Sequence, residues 1–259
     1  MSIVIGAVSD AGQVRAANED HYVVLTKPDV AEGLDAVLVV ADGMGGHRAG
    51  QIASELVADT FVRWFGSGGQ ATRQRAGLEL RQALEHVVHE AHCELQRASS
   101  TSPRLRGLGS TVTGAVIADG ILYLGHVGDS RAYLIRGGAI HQLSRDHSWV
   151  ADQVRAGVMS AELASHHPRK NVLTRAVGGR GSIQVDTEAY QLDVGDVVLV
   201  CSDGLTNTIS DAELLSIART HAQPARAAEV MVRLANERGA PDNVTVLLAR
   251  VVSSNQRGR

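Results

Sequence analysis

Short runs of Val, Ile and Leu recur along the chain, and Gly, Asp or Asn bounds most of them. Apolar runs of this length with such boundaries are typical of β-strands in packed sheets. The pattern predicts strands at residues 3–9, 21–25, 36–41, 110–118, 121–127, 131–136, 183–190, 196–202 and 244–251. Gly137 and Gly138 separate two of these runs and predict a tight hairpin, because glycine adopts positive φ without a steric penalty.

Two blocks of helical periodicity interrupt the strands. From His47 to Phe65, and from about residue 71 to 98, apolar residues recur every three to four positions, which predicts two amphipathic helices. A second pair is predicted at about 210–219 and 224–238, and a short helical piece at 148–156. Paired helices between groups of strands favour an α+β fold over a doubly wound parallel sheet. The expected architecture is a central antiparallel β-sandwich flanked on both sides by paired helices.

Composition indicates a soluble globular protein with an aliphatic core. Hydrophobic residues make up 44% of the 259 residues and aromatic residues only 3%, so Val, Leu, Ile and Ala must fill the core. The formal net charge of −3 argues against broad electrostatic binding of nucleic acid or of an anionic membrane. Cys93 and Cys201 do not make a disulfide framework, and no apolar stretch approaches the roughly 18 residues of a spanning helix. We therefore expect a single domain in the cytoplasm, without a signal peptide or a membrane anchor.

Two segments nearly repeat each other: VLVVADGMGG at residues 37–46 and VLVCSDGLTN at residues 198–207. In each, an aliphatic run typical of a sheet interior is followed by Asp-Gly, first at Asp42 and then at Asp203. Asp-Gly is also a common hairpin turn, but a helical pattern follows both dipeptides, so neither fits a two-residue hairpin. Both carboxylates are therefore predicted where a buried strand ends and the chain turns away.

Further acidic residues lie at the margins of predicted strands: Glu19, Asp20, Asp129 and Asp242. Carboxylates about 4 Å apart repel by about 4 kcal/mol per pair at an effective dielectric constant of 20, so a cluster of them requires cations. Oxygen ligands without Cys or His favour Mg²⁺ or Mn²⁺ over zinc. The carbonyl group of Gly43 could approach such an ion closely, because glycine has no side chain.

Eight motifs resemble, in order, those of the metal-dependent protein phosphatases of the PP2C (PPM) family in their bacterial form. They are SDAGQVRAANEDHY, VVADGMGGHRAG, GLGSTVTGAVI, LGHVGDSRAYLIRGG, LSRDHSWV, LTRAVGG, CSDGLTN and PDNVTVLLA, and the resemblance covers residues about 3–251. It implies α-β-β-α layers with a dinuclear Mn²⁺ or Mg²⁺ site at one end of the sandwich. It also implies a catalytic domain over residues 1–252 with a flap at about 144–174, and the polar residues 253–259 are expected to form a tail.

The resemblance assigns metal ligands to four positions. Asp42 would bridge two ions, the Gly43 carbonyl would bind one of them, and Asp203 and Asp242 would bind the other. The implied reaction is direct attack on phosphorus by a hydroxide that bridges the ions, which releases phosphate from phosphoserine or phosphothreonine. The expected partners are phosphorylated proteins and a cognate Ser/Thr kinase. The protein is expected to be a monomer that binds neither nucleic acid nor membrane.

Five further residues receive supporting roles from the same resemblance. Asp20 and Glu19 would orient metal-bound water, and Asp129 matches a position that helps to bind a third, weaker ion. Arg15 matches the guanidinium that binds the phosphoryl oxygens, and its planar fork suits two of them. His47 is the candidate general acid for the leaving alkoxide, and a role in positioning substrate or water is left open.

The segment between Ser144 and Thr174 is polar and rich in histidine, and it matches the flap of the family. Long segments of this kind are often functional. A merely solvated loop is an equal alternative. The side chains that could contact an acidic or phosphorylated substrate are His166, His167, Arg169 and Lys170.

A zinc site is not expected at the other group of histidines. The spacing of these residues lacks the second ligand pair of a structural zinc motif, and the apolar stripe of the predicted helix places them near its solvent edge. They are His86, His89 and His92, with Cys93.

Two other functions stay open beside a protein phosphatase. One is a metal-dependent hydrolase of another phosphate ester. The other is a regulatory module that binds phosphoproteins without turnover, and the presence of Asp42, Asp203 and Asp242 together argues against it. Nucleotide binding is not indicated, because the chain contains no phosphate-binding loop of the form G-x-x-x-x-G-K-[ST].

Overall fold

Two antiparallel sheets pack face to face in the structure, a computed structural model that describes residues 1–46, 48–68, 79–102 and 105–253. The strands of the described residues are, in chain order, β1 (Ser2–Asp10), β2 (Asp20–Thr26), β3 (Ala36–Met44), β4 (Gly109–Ser110), β5 (Val112–Ala118), β6 (Ile121–Val127), β7 (Arg131–Arg136), β8 (Ala139–Gln142), β9 (Asp186–Gln191), β10 (Val197–Cys201) and β11 (Val244–Val252). The first sheet has the order β1-β11-β10-β7-β8. The second has the order β2-β3-β5-β6-β9, with β4 beside β3.

The central strands are buried on both faces, which explains their continuous aliphatic sequences. In β3, Val37 and Val39 pack in the cluster that contacts the helices, whereas Leu38 and Val40 pack between the two sheets. In β10, Val198 likewise packs between the sheets. Successive side chains of a strand point to opposite faces, so a strand between two apolar layers needs an apolar residue at every position.

Helices cover the outer face of each sheet. They are, in chain order within the described residues, α1 (Arg48–Phe65), α2 (Leu80–Thr101), α3 (Trp149–Arg155), α4 (Ala161–Ser165), α5 (Asp203–Thr206), α6 (Asp211–Thr220) and α7 (Pro224–Glu237). Phe61 of α1 and Leu84 of α2 pack on the second sheet, and Leu214 of α6 and Met231 of α7 pack on the first. The predicted α+β sandwich, with paired helices on both sides, is confirmed.

The predicted end of β3 is wrong. The strand does not stop before Asp42 but continues to Met44. The chain turns only at Gly45 and Gly46, whose φ angles are 124° and 86°. The strand is extended because its last residues pair with β4, where Met44 lies opposite Gly109.

Other boundaries differ less. The hairpin between β7 and β8 is confirmed, with φ angles of 58° at Gly137 and 85° at Gly138. The strand predicted at 110–118 is interrupted at Thr111, which separates β4 from β5. The strand predicted at 183–190 begins only at Asp186, and α5 was not predicted.

Some predictions fall on residues outside the description. They concern His47, residues 71–78 at the start of the second predicted helix, and residues 254–259 of the tail. Within the described part of the chain, no helix combines the length and the apolar character that a membrane span requires.

Candidate active site

Carboxylates from both sheets meet at one end of the sandwich. Asp20 of β2 lies opposite Asp42 of β3 in the antiparallel register. The hydroxyl groups of Ser202 and Thr245 donate hydrogen bonds of 2.7 and 2.6 Å to Oδ2 of Asp20. Because Ser202 follows β10 and Thr245 lies in β11, these bonds join the ends of the two sheets.

The carboxylate of Asp20 is buried with only one oxygen satisfied. The residue is 5% exposed, and Oδ1 has no hydrogen-bond partner among the described residues. Burial raises the pKa of Asp20 to about 7, although the hydroxyl groups of Thr245 and Ser202 oppose the rise. The carboxylates of Asp203 and Asp242 contribute to this rise. A nearby cation would stabilise the ionised form of such a group.

The backbone of Asp42 is fixed on both sides by the start of the β4–β5 segment. Its N–H donates to Oγ1 of Thr111 at 3.0 Å, and its carbonyl oxygen accepts from the N–H of Thr111 at 2.9 Å and from Oγ of Ser110 at 3.0 Å. Burial raises the pKa of the Asp42 carboxyl group well above its usual value, and the carboxylates of Asp20 and Asp203 add to the rise. The Asp42 carboxylate is therefore held in a fixed position close to several other carboxylates.

Asp203 and Asp129 belong to the same group of buried carboxylates. Oδ2 of Asp203 accepts a hydrogen bond of 3.0 Å from Asn207, whereas Oδ1 is buried without a partner among the described residues. Burial and the carboxylate of Asp242 raise the pKa of Asp203 to about 6, against the opposing effects of Asn207 and Lys170. Burial also raises the pKa of Asp129, with Asp203 as the main charged neighbour.

Arg15 pairs with Asp242 at the rim of the cluster. Nη2 of Arg15 donates to Oδ2 of Asp242 at 2.7 Å, and about half of the Arg15 side chain is exposed. This hydrogen bond raises the pKa of Arg15. The predicted phosphate-binding cation therefore lies in direct contact with a predicted metal ligand.

Glycines allow close approach of the backbone at the end of β3. A Cβ atom at Gly43 would lie 2.1 Å from the carbonyl oxygen of Gly50 and 2.7 Å from that of Glu19. A Cβ atom at Gly50 would lie 2.0 Å from Oε2 of Glu19 and 2.8 Å from the carbonyl oxygen of Gly43. The Gly43 carbonyl and the Glu19 carboxylate thus border one small space that a side chain at residue 50 would fill.

The glycine of the second Asp-Gly serves close packing and not a turn. Gly204 lies in the first turn of α5, and a Cβ atom there would come within 2.0 Å of the carbonyl oxygen of Asn243. The sequence predicts that the chain turns away after Asp203, and in the structure it does so by entering the short helix α5. The absent side chain of Gly204 lets this helix lie directly on the residue that follows Asp242.

The donor atoms fit divalent ions of the Mg²⁺ or Mn²⁺ type. All candidate ligand atoms are oxygens, and two of them, on Asp20 and Asp203, are buried without a hydrogen-bond partner among the described residues. In that same part of the chain, no three acidic, histidine or cysteine side chains are close enough to ligate one ion by themselves. Mg²⁺ usually keeps several water ligands in proteins, so water would complete the coordination.

The predicted flap is a segment whose two ends lie side by side. Its two ends pair, because the N–H of Trp149 donates to the carbonyl oxygen of Val172 at 2.7 Å and that of Thr174 donates to His147 at 2.8 Å. Between the flap and the carboxylates lies a cavity of about 550 Å³, here called the flap cleft. The residues that line it include Asp129, Asp203, Asp146, Val150, Val154 and Lys170.

The structure separates the four flap residues. Lys170 lines the flap cleft and faces Asp203 closely enough to lower the pKa of that carboxyl group. His167 and Arg169 pack on Trp149 instead, with the His167 ring at 5.0 Å and the guanidinium at 5.1 Å from the indole. His166 bonds to the neighbouring Ser165 and to the backbone of α4. Only Lys170 of these four is brought to the carboxylates; His47 lies outside the described residues.

The polar residues that hold the carboxylates in place were not predicted from the sequence. Asn243 receives the N–H of Glu19 on its Oδ1 at 2.8 Å and donates to the carbonyl oxygens of Ala11 and Ala17. Ser202 and Thr245 hold Asp20 as described above. Each lies within three residues of a candidate ligand, which is the signal that could have singled them out.

One histidine of α2 also departs from its expected position. His92 is 4% exposed and does not lie at the solvent edge. Its Nδ1 accepts a hydrogen bond of 3.1 Å from the N–H of Gly178, and its Nε2 lies 2.9 Å from the carbonyl oxygen of Gly181. Both ring nitrogens therefore fasten the loop that precedes β9.

A two-sheet sandwich that brings carboxylates from both sheets together at one end is suited to paired divalent ions, which catalyse phosphate-ester hydrolysis in many enzymes. Residues 12–243 match the family model described as Protein phosphatase 2C. The chain is 37% identical over 241 residues to the serine/threonine phosphatase stp of Listeria innocua, covering 93% of this chain and 92% of the relative. It is 37% identical over 256 residues to the protein phosphatase PhpP of Streptococcus pneumoniae, covering 97% and 98%. The chain therefore belongs to the protein phosphatase 2C family.

Solved structures agree with this assignment. The serine/threonine phosphatase PstP/Ppp of Mycobacterium tuberculosis superposes with a TM-score of 0.85 at 32% identity, over 98% of this chain and 100% of that one. The catalytic domain of PstP in complex with two manganese ions gives a TM-score of 0.82 at 33% identity, over 97% and 99%. The predicted fold and enzyme class, a metal-dependent protein serine/threonine phosphatase, are confirmed. The manganese complex confirms the expected cofactor, Mn²⁺ or Mg²⁺, for the family.

Proposed function

We propose that this chain hydrolyses phosphoserine and phosphothreonine monoesters in proteins with two divalent ions bound at the carboxylate end of the sandwich. The observation that carries the proposal is the convergence of Asp20, Asp42, Asp203 and Asp242 from both sheets, with buried carboxylate oxygens of Asp20 and Asp203 that have no partner among the described residues. The names of the relatives support the substrate class.

Four residues would hold the two ions. Asp42 would bridge them, the Gly43 carbonyl would bind one ion, and Asp203 and Asp242 would bind the other. When bound, such ions supply an activated water nucleophile and neutralise charge at the phosphoryl group. Asp129, whose carboxylate lies near that of Asp203, would help to hold a third, weaker ion.

The other residues would position water, phosphate and a proton. Asp20, held by two hydroxyl groups, and Glu19, whose carboxylate faces the space beside Gly43, would orient water. Arg15 would bind two phosphoryl oxygens with its planar fork. His47 would donate a proton to the leaving alkoxide or position the substrate.

The physiological setting is part of the same proposal. The substrates are phosphorylated proteins, and the enzyme opposes a Ser/Thr kinase of the same cell as a cytoplasmic monomer. Comparative phosphoproteomics of a strain that lacks the protein and a strain that expresses Asp242→Asn would name the substrates. Sites whose phosphorylation rises equally in both strains depend on catalysis.

Metal dependence is the direct biochemical test. Phosphate release from matched phosphoserine, phosphothreonine and phosphotyrosine peptides, and from p-nitrophenyl phosphate, should require Mn²⁺ or Mg²⁺ and should be lost in Asp203→Asn and Asp242→Asn. Circular dichroism should show that both variants stay folded. Undiminished turnover in excess chelator would contradict the proposal, and a preference for a small phosphate ester over every peptide would favour the other hydrolase.

A further inference from the structure

A second cavity, of about 330 Å³, opens where β3 meets β4. We call it the arginine pocket. The residues that define it are Met44, Ser99, Arg106, Gly109, Gly179 and Arg180. None of the described residues that line it carries a carboxylate, whereas the flap cleft is lined by the carboxylates of Asp129, Asp146 and Asp203 together with basic side chains.

A continuous row of backbone pairs connects this pocket with the candidate metal site. Gly43 lies opposite Ser110, and Met44 lies opposite Gly109 in the pairing of β3 with β4. On its other side, Ser110 exchanges two backbone hydrogen bonds with Val177, of 3.0 and 2.8 Å. The carbonyl group proposed to bind an ion is thus one residue away from the pocket wall.

Side chains of α2 form hydrogen bonds with the loop that carries Arg180. His92 bonds to the backbone of Gly178 and Gly181 through its two ring nitrogens. Nε2 of Gln96 donates to the carbonyl oxygen of Gly179 at 2.7 Å and to that of Gly181 at 2.9 Å. These bonds fix the backbone on both sides of Arg180, which explains the role of a histidine that the proposed mechanism does not use.

Both arginines of the pocket are available for a ligand. Arg106 and Arg180 are exposed, and neither forms an ion pair with any described residue. By contrast, Arg15, Arg131 and Arg136 are each paired with an aspartate. A guanidinium group binds a carboxylate through two parallel hydrogen bonds, so two of them beside a cavity without acidic residues favour an anionic side chain.

We propose that the arginine pocket binds an Asp or Glu side chain of the substrate polypeptide, close in sequence to the phosphorylated residue. The inference rests on the proposed function, because it takes the carboxylate cluster as the place where the phosphoryl group is cleaved. It adds a substrate class: phosphoproteins with an acidic flank on the side that lies over β4.

A matched set of phosphothreonine peptides tests the proposal. One peptide has neutral flanks, and the others carry a pair of Glu residues at increasing distance before or after the phosphothreonine. For the Mn²⁺-loaded protein, kcat/KM should be about tenfold higher for the best acidic peptide than for the neutral one, since two exposed charge pairs contribute. The double variant Arg106→Gln/Arg180→Gln should reduce this ratio to about one.

A control separates the pocket from the total charge of the protein. Arg219→Gln/Arg233→Gln removes the same charge from exposed positions on α6 and α7, which cover the other sheet. This control should keep the preference for the acidic peptide. Turnover of p-nitrophenyl phosphate, which has no flank, should stay unchanged in both double variants.

The outcomes are distinct. No preference for acidic flanks in the wild type, or an equal preference in Arg106→Gln/Arg180→Gln, overturns the arginine pocket as a substrate site. Absence of turnover with every substrate overturns the proposed function instead. In that case the binding of the same fluorescent peptides, followed by anisotropy in the Asp203→Asn background and in that background with both pocket substitutions, still decides the pocket, and equal affinities would overturn it.

Discussion

The ends of β3 and β10 share the dipeptide Asp-Gly but not its conformation. Asp42 and Gly43 lie inside an extended strand that continues to Met44. Asp203 and Gly204, by contrast, form the first turn of α5. The carboxylates still converge, because each backbone conformation directs its aspartate to the same end of the sandwich.

The difference teaches that the glycines are needed for their size and not for their flexibility. Neither Gly43 nor Gly204 has a positive φ angle, whereas Gly45 and Gly46, where the chain does turn, both have one. A side chain at either Asp-Gly glycine would collide with a backbone carbonyl group at about the same distance, 2.1 and 2.0 Å. Close packing beside an aspartate is therefore the feature that the two ends share.

Asparagine at Asp42 or Asp203 gives the largest expected effect. If both strand ends hold the same ions, each substitution should lower kcat by about a thousandfold or more, because residues that only support a ligand cost about 10- to 100-fold. Phosphate release from a phosphothreonine peptide at saturating Mn²⁺ measures it. Asp59→Asn, an equal charge change on the exposed side of α1, is the control. A large loss in only one of the two variants would break the symmetry of the two ends.

Stability in a chelator should separate the same two variants. Burial raises the pKa of Asp42, and the neighbouring carboxylates add to the rise, so Asp42→Asn should raise the thermal midpoint of the metal-free protein by removing an unfavourable buried charge. Asp203 accepts a hydrogen bond from Asn207, so Asp203→Asn should gain less. Calorimetry at neutral pH measures both midpoints, and a lower midpoint for Asp42→Asn would contradict the crowding that the geometry indicates.

Alanine at the two glycines should have the next largest effect. Each added Cβ atom meets a backbone oxygen that cannot rotate away, so Gly43→Ala and Gly204→Ala should each lower the free energy of unfolding by about 3 kcal/mol. Urea unfolding measures it. Gly179→Ala, whose Cβ atom would lie 3.2 Å from its nearest neighbour, should cost far less. Wild-type stability of Gly204→Ala would favour a flexible turn over close packing.

Much of the fold could be predicted from the sequence because short segments show the periodicity of the strand or helix that they form. Continuous aliphatic runs indicate strands buried on both faces, as in β3 and β10, and the paired helical stripes indicate two helical layers. The exact end of β3 could not be predicted, since it depends on pairing with Gly109 and Ser110, more than 60 residues away along the chain. Periodicity of one segment carries no information about such a partner.

The candidate site was predictable in its residue types more than in its contacts. Aspartates at strand margins stand out in the sequence, but the Arg15–Asp242 pair and the bond from Thr245 to Asp20 each join residues more than 200 positions apart. The helix at Asp203 was hidden for a different reason. It has only four residues, too short for a periodic pattern.

Removal of single hydroxyl groups should have the smallest effect. It should show whether the hydroxyl groups at the ends of β3 and β10 serve metal binding or stability. Thr245 donates to the Asp20 carboxylate beside the end of β10, whereas Thr111 accepts from the backbone N–H of Asp42 at the end of β3. Thr245→Val should weaken Mn²⁺ binding by about tenfold, because it removes one of the two hydroxyl groups that hold the Asp20 carboxylate, which we propose orients water at the ions. Thr111→Val should chiefly lower the free energy of unfolding, by about 1 kcal/mol, since it removes a partner of a backbone group.

Calorimetric titration with Mn²⁺ and urea unfolding of the metal-free proteins distinguish these two effects. Valine matches threonine in shape, so neither variant leaves a cavity, and each differs from the wild type mainly by one polar atom. Equal losses of Mn²⁺ affinity in both variants would mean that the backbone of Asp42 matters as much as the carboxylate of Asp20. The two strand ends would then act as one rigid unit, held by the hydroxyl groups of both sheets.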